Sequence, residues 1–342
     1  MPLHPDRLFP SDPAERAIAR RLYGEVANLP IISPHGHTDP AWYADDPAFP
    51  DPATLFVKPD HYATRMLYSQ GVPLEALGVP RRDGGEVETD GRKIWRLFAD
   101  YFYLFAGTPT RFWFEHSLET VFGITERLTP VTADGIYDRI AEALATPRLR
   151  PRALYEAFNI EVIATTDGAL DDLGHHDRIK ASGWTGRVLP TYRPDAVVNP
   201  EAEGFADNLE KLLSMTGMPA TWAGYLEAHR LRRAYFKARG ATATDHGHPS
   251  AQTANLAVGE ASALFERVRS GRASGPDAEM FRAQMLTEMA KMSRDDGLVM
   301  QIHPGSFRNH NPSVFAAFGP DKGADIPQST DYVHALKPLL DV

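Results

Sequence analysis

The sequence contains no cysteine in its 342 residues. That excludes a disulfide framework and any thiolate metal site, so a bound metal must draw its ligands from His, Asp, Glu or water. Long apolar runs are missing too. No stretch approaches the roughly 20 residues of a membrane-spanning helix, and the first residues lack the apolar core of a secretory signal. Positive charge is scarce: 36 Lys and Arg stand against 45 Asp and Glu, a formal net charge of -9. No basic cluster offers a surface for nucleic acid or anionic lipid, and an anionic ligand would need local arginines. These absences describe a cytoplasmic protein without nucleic-acid or membrane partners. Its 43% hydrophobic and 24% charged residues are ordinary for a globular chain long enough to bury a large α/β core.

What the chain does have is Pro30-Ile31-Ile32-Ser33-Pro34-His35-Gly36-His37, an apolar run ending in two histidines one residue apart. Alternation along a strand points His35 and His37 to the same side, where two imidazoles can hold one metal ion. A helix precedes the run, with Asp12 as cap and Pro13 at its first position, extending to about Tyr23 before Gly24. From Pro50 to about Pro151 the composition changes. Trp95, Phe98, Tyr101, Phe102, Tyr103, Phe105, Phe112, Trp113 and Phe114 crowd together with few β-type runs, which reads as a helical insertion.

After the insertion, short apolar runs recur with helical stretches between them. Asn159–Thr165 ends at Asp167, Gly186–Pro190 at Arg193, Gly240–Thr244 at Asp245, and Gly297–Gln301 leads through Ile302 to His303. With the run before His35 this makes five strands of a βαβ rhythm. Each ends in residues suited to a site, as a (β/α)8 TIM-type barrel arranges them. The division expected along the chain is 1–49 for the first helix and strand, 50–151 for the insertion, and 152–342 for the rest of the barrel. Met280, Phe281, Met285, Met289 and Met292 form one face of a helix stopped by Gly297 and read as core packing.

Three constellations carry chemistry. His35, His37 and His303 supply imidazoles for a divalent ion, with His303 open to direct ligation or to a hydrogen-bonding or substrate role. Asp60 caps a helix start that sets Tyr62 and Arg65 on one face beside His61, a phenol and a guanidinium suited to an anionic, hydroxylated ligand. Arg193 and Arg308 are the remaining sources of positive charge for a carboxylate. The acidic, His-containing stretch Asp171–Asp177 reads as a turn and helix start rather than a metal site.

These residues together resemble the uronate (glucuronate) isomerases of the amidohydrolase superfamily, over essentially the whole chain. The elements are Ser33–Pro40, Asp60 to Tyr62 with Arg65, Val162–Asp167 followed by His175 and His176, Tyr192–Asp195, Asp245–Gly247, and Met300–His303 with Arg308 and Asn309. The resemblance implies a distorted (β/α)8 barrel with a helical insertion after the first strand. The implied reaction interconverts D-glucuronate with D-fructuronate and D-galacturonate with D-tagaturonate through a cis-enediol. It also implies a divalent metal on His35 and His37, zinc or alternatively manganese. Tyr62 is expected to contact substrate and relay a proton, and Asp245 and His303 to line the catalytic site. His61, Arg65, Arg193 and Arg308 are expected to bind a hexuronate, with the carboxylate-gripping arginine left open, and a homo-oligomer is compatible. Family members continue beyond the equivalent of Val342 with three more strands, a Trp-Trp segment and an Asp-x-Arg motif whose Asp is the expected carboxylate ligand. The expectation is therefore a C-terminally truncated chain with about five of eight strands. A metal-dependent hydrolase of the same superfamily and an inactive fragment are the alternative readings.

Overall fold

The structure is a computed structural model that describes residues 3–342. The chain divides into two compact units, one formed by residues up to 30, 46–159 and 307–326, the other by 31–45, 160–306 and 327–342.

The second unit is built on parallel strands: β1 (Ile31–Ser33), β2 (Ile160–Ala164), β3 (Asp167–Gly168), β4 (Arg187–Leu189), β5 (Tyr192–Arg193), β6 (Ala243–His246) and β7 (Val299–Ile302). They pair in the orders β1-β2-β4 and β3-β5-β6-β7. The two sets run on from each other, because Thr165 N–H donates to Leu189 O and Asp167 N–H to Thr191 O across the interruptions. Pro190, with no N–H to give, sits in one of those gaps. The result is five parallel strand lines in chain order, as the apolar runs imply. The fourth line starts later than its run, at Ala243 rather than Gly240. Gly240 (φ 98°) and Ala241 are used to end the preceding helix, Trp222–Ala238, through N–H groups donated to Lys237 O and Phe236 O. Among the described residues β1 and β7 each pair on one side only, and Ile31, Ile32 and Val299 stand exposed there.

Helices pack on this array around an apolar core. Met285, Met289 and Met292 of the helix Gly275–Asp296 pack with Tyr225, Phe236, Phe265 and Phe281, so the methionine stripe is core, although Met280 faces out. Gly297 takes the left-handed conformation that closes the helix. Arg233, fully buried, is anchored by a paired hydrogen bond to Asp296 at that same end.

In the first unit the helix Pro13–Val26 is capped by Asp12 as expected, and it runs through Gly24 rather than breaking there. The aromatic-rich region forms helices His61–Tyr68, Gly91–Tyr101, Pro109–Phe122 and Ala133–Leu144. Their shared core is aromatic: Phe114 meets Phe98 edge-on at 5.5 Å, and Trp95 donates its indole N–H to Ala133 O.

The acidic stretch of the second unit is a turn into the helix Gly174–Ala181: Asp171 and Asp172 accept backbone N–H bonds from Leu173 and Gly174. His176 turns inward. Its Nε2 lies 2.9 Å from the hydroxyl of Thr165, which donates to Asp167 at 2.7 Å. Burial lifts Asp167 to about 6 against the hydrogen bonds from Thr165 and Thr191, and burial drives His176 down to about 4. The signs oppose. Between the unfolded and folded values, folded Asp167 holds a proton the unfolded chain has lost, so stability falls as pH rises. Folded His176 rejects a proton that the unfolded chain binds, so its contribution rises with pH. Replacing His176→Gln removes the rising part. Relative to wild type, the variant should lose stability progressively from about pH 4 to 6.5, by roughly 3 kcal/mol in all, as read from urea midpoints across that range. A difference independent of pH would refute the assignment.

Candidate active site

The site grows from the ends of the parallel strands of the second unit. Beyond β1 the chain carries His35 and His37 past the end of β2, and two contacts fix it there. Thr166 donates its hydroxyl to Gly36 O at 2.9 Å, and a Cβ on Gly36 would lie 2.8 Å from Ala164 O. Only glycine lets the backbones approach so closely. His35 and His37 then face one another, Nε2 to Nε2, at 2.9 Å. Burial, with the neighbouring His35 and Arg193 adding to it, holds His37 below the ordinary imidazole range.

Asp245, in β6, has no solvent exposure. Its Oδ1 accepts from His303 Nε2 at 2.6 Å and lies 3.5 Å from His35 Nδ1, while Arg193 Nη1 stands 3.5 Å from Oδ2. Burial alone would raise this carboxyl. The hydrogen bond and charge of His303, with Arg193 and His35, outweigh it and hold Asp245 below the usual carboxylate value. Reciprocally, the bond to Asp245 raises His303 above the usual imidazole value despite its partial burial. Arg193 also grips Asp195 at 2.9 Å, and Asp195 accepts the N–H of Gly247, which ties β6 to the segment after β5.

The structure thus gathers five of the residues singled out from sequence: His35, His37, Arg193, Asp245 and His303. The remaining four, His61, Tyr62, Arg65 and Arg308, belong to the first unit. There Asp60 caps the helix as expected, and the Arg65 guanidinium lies 4.8 Å from the centre of the Tyr62 ring. Arg308 stands 3.3 Å from Asp321 and 3.7 Å from Asp325. Asp245, expected to line the site, contributes the carboxylate of this cluster. One ligand atom from each of His35, Asp245 and His303 lies within 4.8 Å of the others, a spacing suited to a divalent ion. A second donor pair is the facing nitrogens of His35 and His37.

Thr166, Asp195 and Gln301 lie within the elements that carry the resemblance, but the sequence assigns them no role. Gln301 had a signal, because it precedes His303 by two positions on β7 and therefore shares its face. Its amide donates to Pro34 O at 2.9 Å, and its Oε1 lies 3.3 Å from His35 Nδ1. Thr166 acts through a backbone contact, and Asp195 through the Gly247 N–H and the Arg193 side chain, contacts that leave no mark in composition.

The tight approach at Gly36 has a measurable consequence. Gly36→Ala should push the histidine-bearing segment off β2, costing about 1–3 kcal/mol of stability as overpacking does, and should lower the divalent metal retained per chain after dialysis. Wild-type metal retention in a folded Gly36→Ala protein would show that the close contact does not position the histidines.

Comparison with known proteins gives the family and the fold. The family model described as glucuronate isomerase matches residues 13–342. A uronate isomerase of Brucella suis biovar 1 is 66% identical over 341 residues, which is 100% of this chain and 73% of that protein. Among solved structures, a glucuronate isomerase from Caulobacter crescentus superposes with a TM-score of 0.96 at 56% identity, covering 99% of this chain and 71% of that one. A uronate isomerase from Thermotoga maritima gives 0.90 at 28% identity over 100% of this chain and 73% of that one. The α/β fold is that of known uronate isomerases. The matches run along the whole of this chain, which spans 73% of the length of the Brucella protein. From a family match over nearly all its residues and relatives this similar, the chain belongs to the glucuronate isomerase family.

Proposed function

We propose that the isomerisation of hexuronates, the activity of this family, takes place at the Asp245–His303 pair beside His35 and His37. The barrel type proposed for the second unit is (β/α)8, with the division into 1–49, 50–151 and 152–342 as its plan along the chain. The observation that carries the reading is the 2.6 Å contact between a fully buried carboxylate and the partly exposed His303 at neighbouring strand ends.

An aldose-to-ketose shift needs a group that takes a proton from C2 and returns one to C1, while the hydroxyl proton passes between O2 and O1 through a cis-enediol. It also needs positive charge near the oxygens as they become anionic. His303 is suited to the proton transfer, since Asp245 orients its ring and favours its protonated form. Arg193, held by Asp195, supplies fixed positive charge. Tyr62 is proposed to relay the hydroxyl proton, and His61, Arg65 and Arg308 to bind the sugar acid; these roles rest on the family resemblance.

The residues also fit a divalent ion. Two nitrogens on one ion at about 2.1 Å each stand about 3.0 Å apart at a right angle and about 3.4 Å apart at a tetrahedral one, and His35 Nε2 and His37 Nε2, at 2.9 Å, lie close to the first of these. With imidazole donors and no thiolate the ion is proposed to be zinc, with manganese the alternative. Bound there, it would polarise substrate oxygens. A cytoplasmic setting and a homo-oligomer complete the proposal.

The direct test incubates the purified chain, loaded with zinc or manganese, with D-glucuronate and with D-galacturonate while ketose formation is followed. Turnover is expected. His303→Asn should lower kcat by about 10²–10⁴-fold with metal content unchanged, and Tyr62→Phe should lower kcat without abolishing substrate binding. A His303→Asn protein that keeps full turnover would remove His303 from the chemistry.

A further inference from the structure

The Gln301 side chain makes two contacts that together decide the state of a metal-site histidine. Pro34 O is a carbonyl and can only accept, so the group 2.9 Å from it must be the Gln301 amide nitrogen. That fixes the amide and turns Oε1, which can only accept, toward His35 Nδ1 at 3.3 Å. For this second contact to be a hydrogen bond, Nδ1 must carry a proton. A neutral imidazole holds one proton, so Nε2 is left with its lone pair, and Nε2 is the atom that faces His37. Asp245 Oδ1, at 3.5 Å from His35 Nδ1, favours the same proton position but at a longer distance.

We propose that Gln301 is a positioning residue that holds His35 in its Nδ1-protonated tautomer, with Nε2 free to bind a metal, and clasps the segment after β1 to β7. The inference builds on the proposed metal site but concerns the ring itself. It assigns the ligand edge of His35 as Nε2 and turns its Nδ1 edge to Gln301 and Asp245. The cluster of His35, Asp245 and His303 is then read as a hydrogen-bonded support behind the His35–His37 pair. Partners of this kind are worth about 10–100-fold in metal affinity where they have been removed. Truncation of Gln301 would also free Pro34 O, so the histidine segment loses an anchor together with its proton acceptor.

The test uses the full chain with 15N-labelled histidine, in metal-free and zinc-loaded forms at mildly alkaline pH. Long-range 15N–1H spectra distinguish a protonated from an unprotonated ring nitrogen, and a His35→Gln variant assigns the signal. In the wild-type protein His35 should show protonated Nδ1 and unprotonated Nε2, and zinc should shift Nε2. Gln301→Met, similar in volume but unable to make either bond, should give mixed tautomers and about 10–100-fold weaker zinc binding. Gln301→Glu keeps an acceptor for Nδ1–H and should keep the tautomer while losing the bond to Pro34. A wild-type His35 protonated on Nε2 overturns the proposal without recourse to any variant. So does a folded Gln301→Met protein with unchanged tautomer and zinc affinity, since Asp245 would then suffice. Absence of hexuronate turnover alongside the expected spectra would reject the proposed site of catalysis and leave the tautomer assignment standing.

Discussion

Asp245 is a carboxylate removed from water, and the arrangement around it follows from that constraint. An isolated buried charge is prohibitively costly, so the group must either stay protonated or be surrounded by cations and donors. The second solution is built here, from His303 at 2.6 Å and Arg193 and His35 at 3.5 Å each. These partners come from three other strand lines. The carboxylate can be charged only if β1, β5 and β7 deliver their ends to the same place.

Register is what delivers them. Asp245 pairs with Gln301 and His246 with Ile302 across the β6–β7 ladder. A slip of one residue would turn Asp245 away and put His246 on the site face. The native register instead sends His246 to the opposite side, 2.9 Å from the Thr244 hydroxyl and fully buried. The sequence Asp245-His246-Gly247 looks like one motif, yet it serves two faces. Gly247 has its own reason to lack a side chain, because a Cβ there would sit 2.5 Å from Arg193 and 2.7 Å from Asp195.

Features with a period or a local cause were legible in the sequence. The five parallel lines follow from apolar runs, the Asp12 and Asp60 caps from local hydrogen bonding, and the Met285 to Met292 stripe from helical spacing. The β6 start was misplaced because Gly240 ends a helix through contacts with residues the apolar run does not include. Asp245 and His303 are each legible at a strand end, but their contact joins positions 58 apart and no local pattern encodes it. Gln301 was hidden for another reason, lying inside a run read only for its apolar content.

A spacing of two residues recurs where few strand ends make a site: His35 with His37, Gln301 with His303, Arg193 with Asp195. In the last two pairs one member reaches Asp245 while the other holds a neighbouring segment, Gln301 at Pro34 O and Asp195 at the N–H of Gly247. A side chain aimed at the reacting groups needs its backbone fixed to within a fraction of an ångström, and a loop beyond a strand end does not supply that stiffness alone. Pairing a chemical residue with a tethering one two positions away supplies it. The charge balance of Asp245 and the placement of His35 therefore depend on the same tethers, so a change at Gln301 or Asp195 acts on the chemistry without touching a reacting atom.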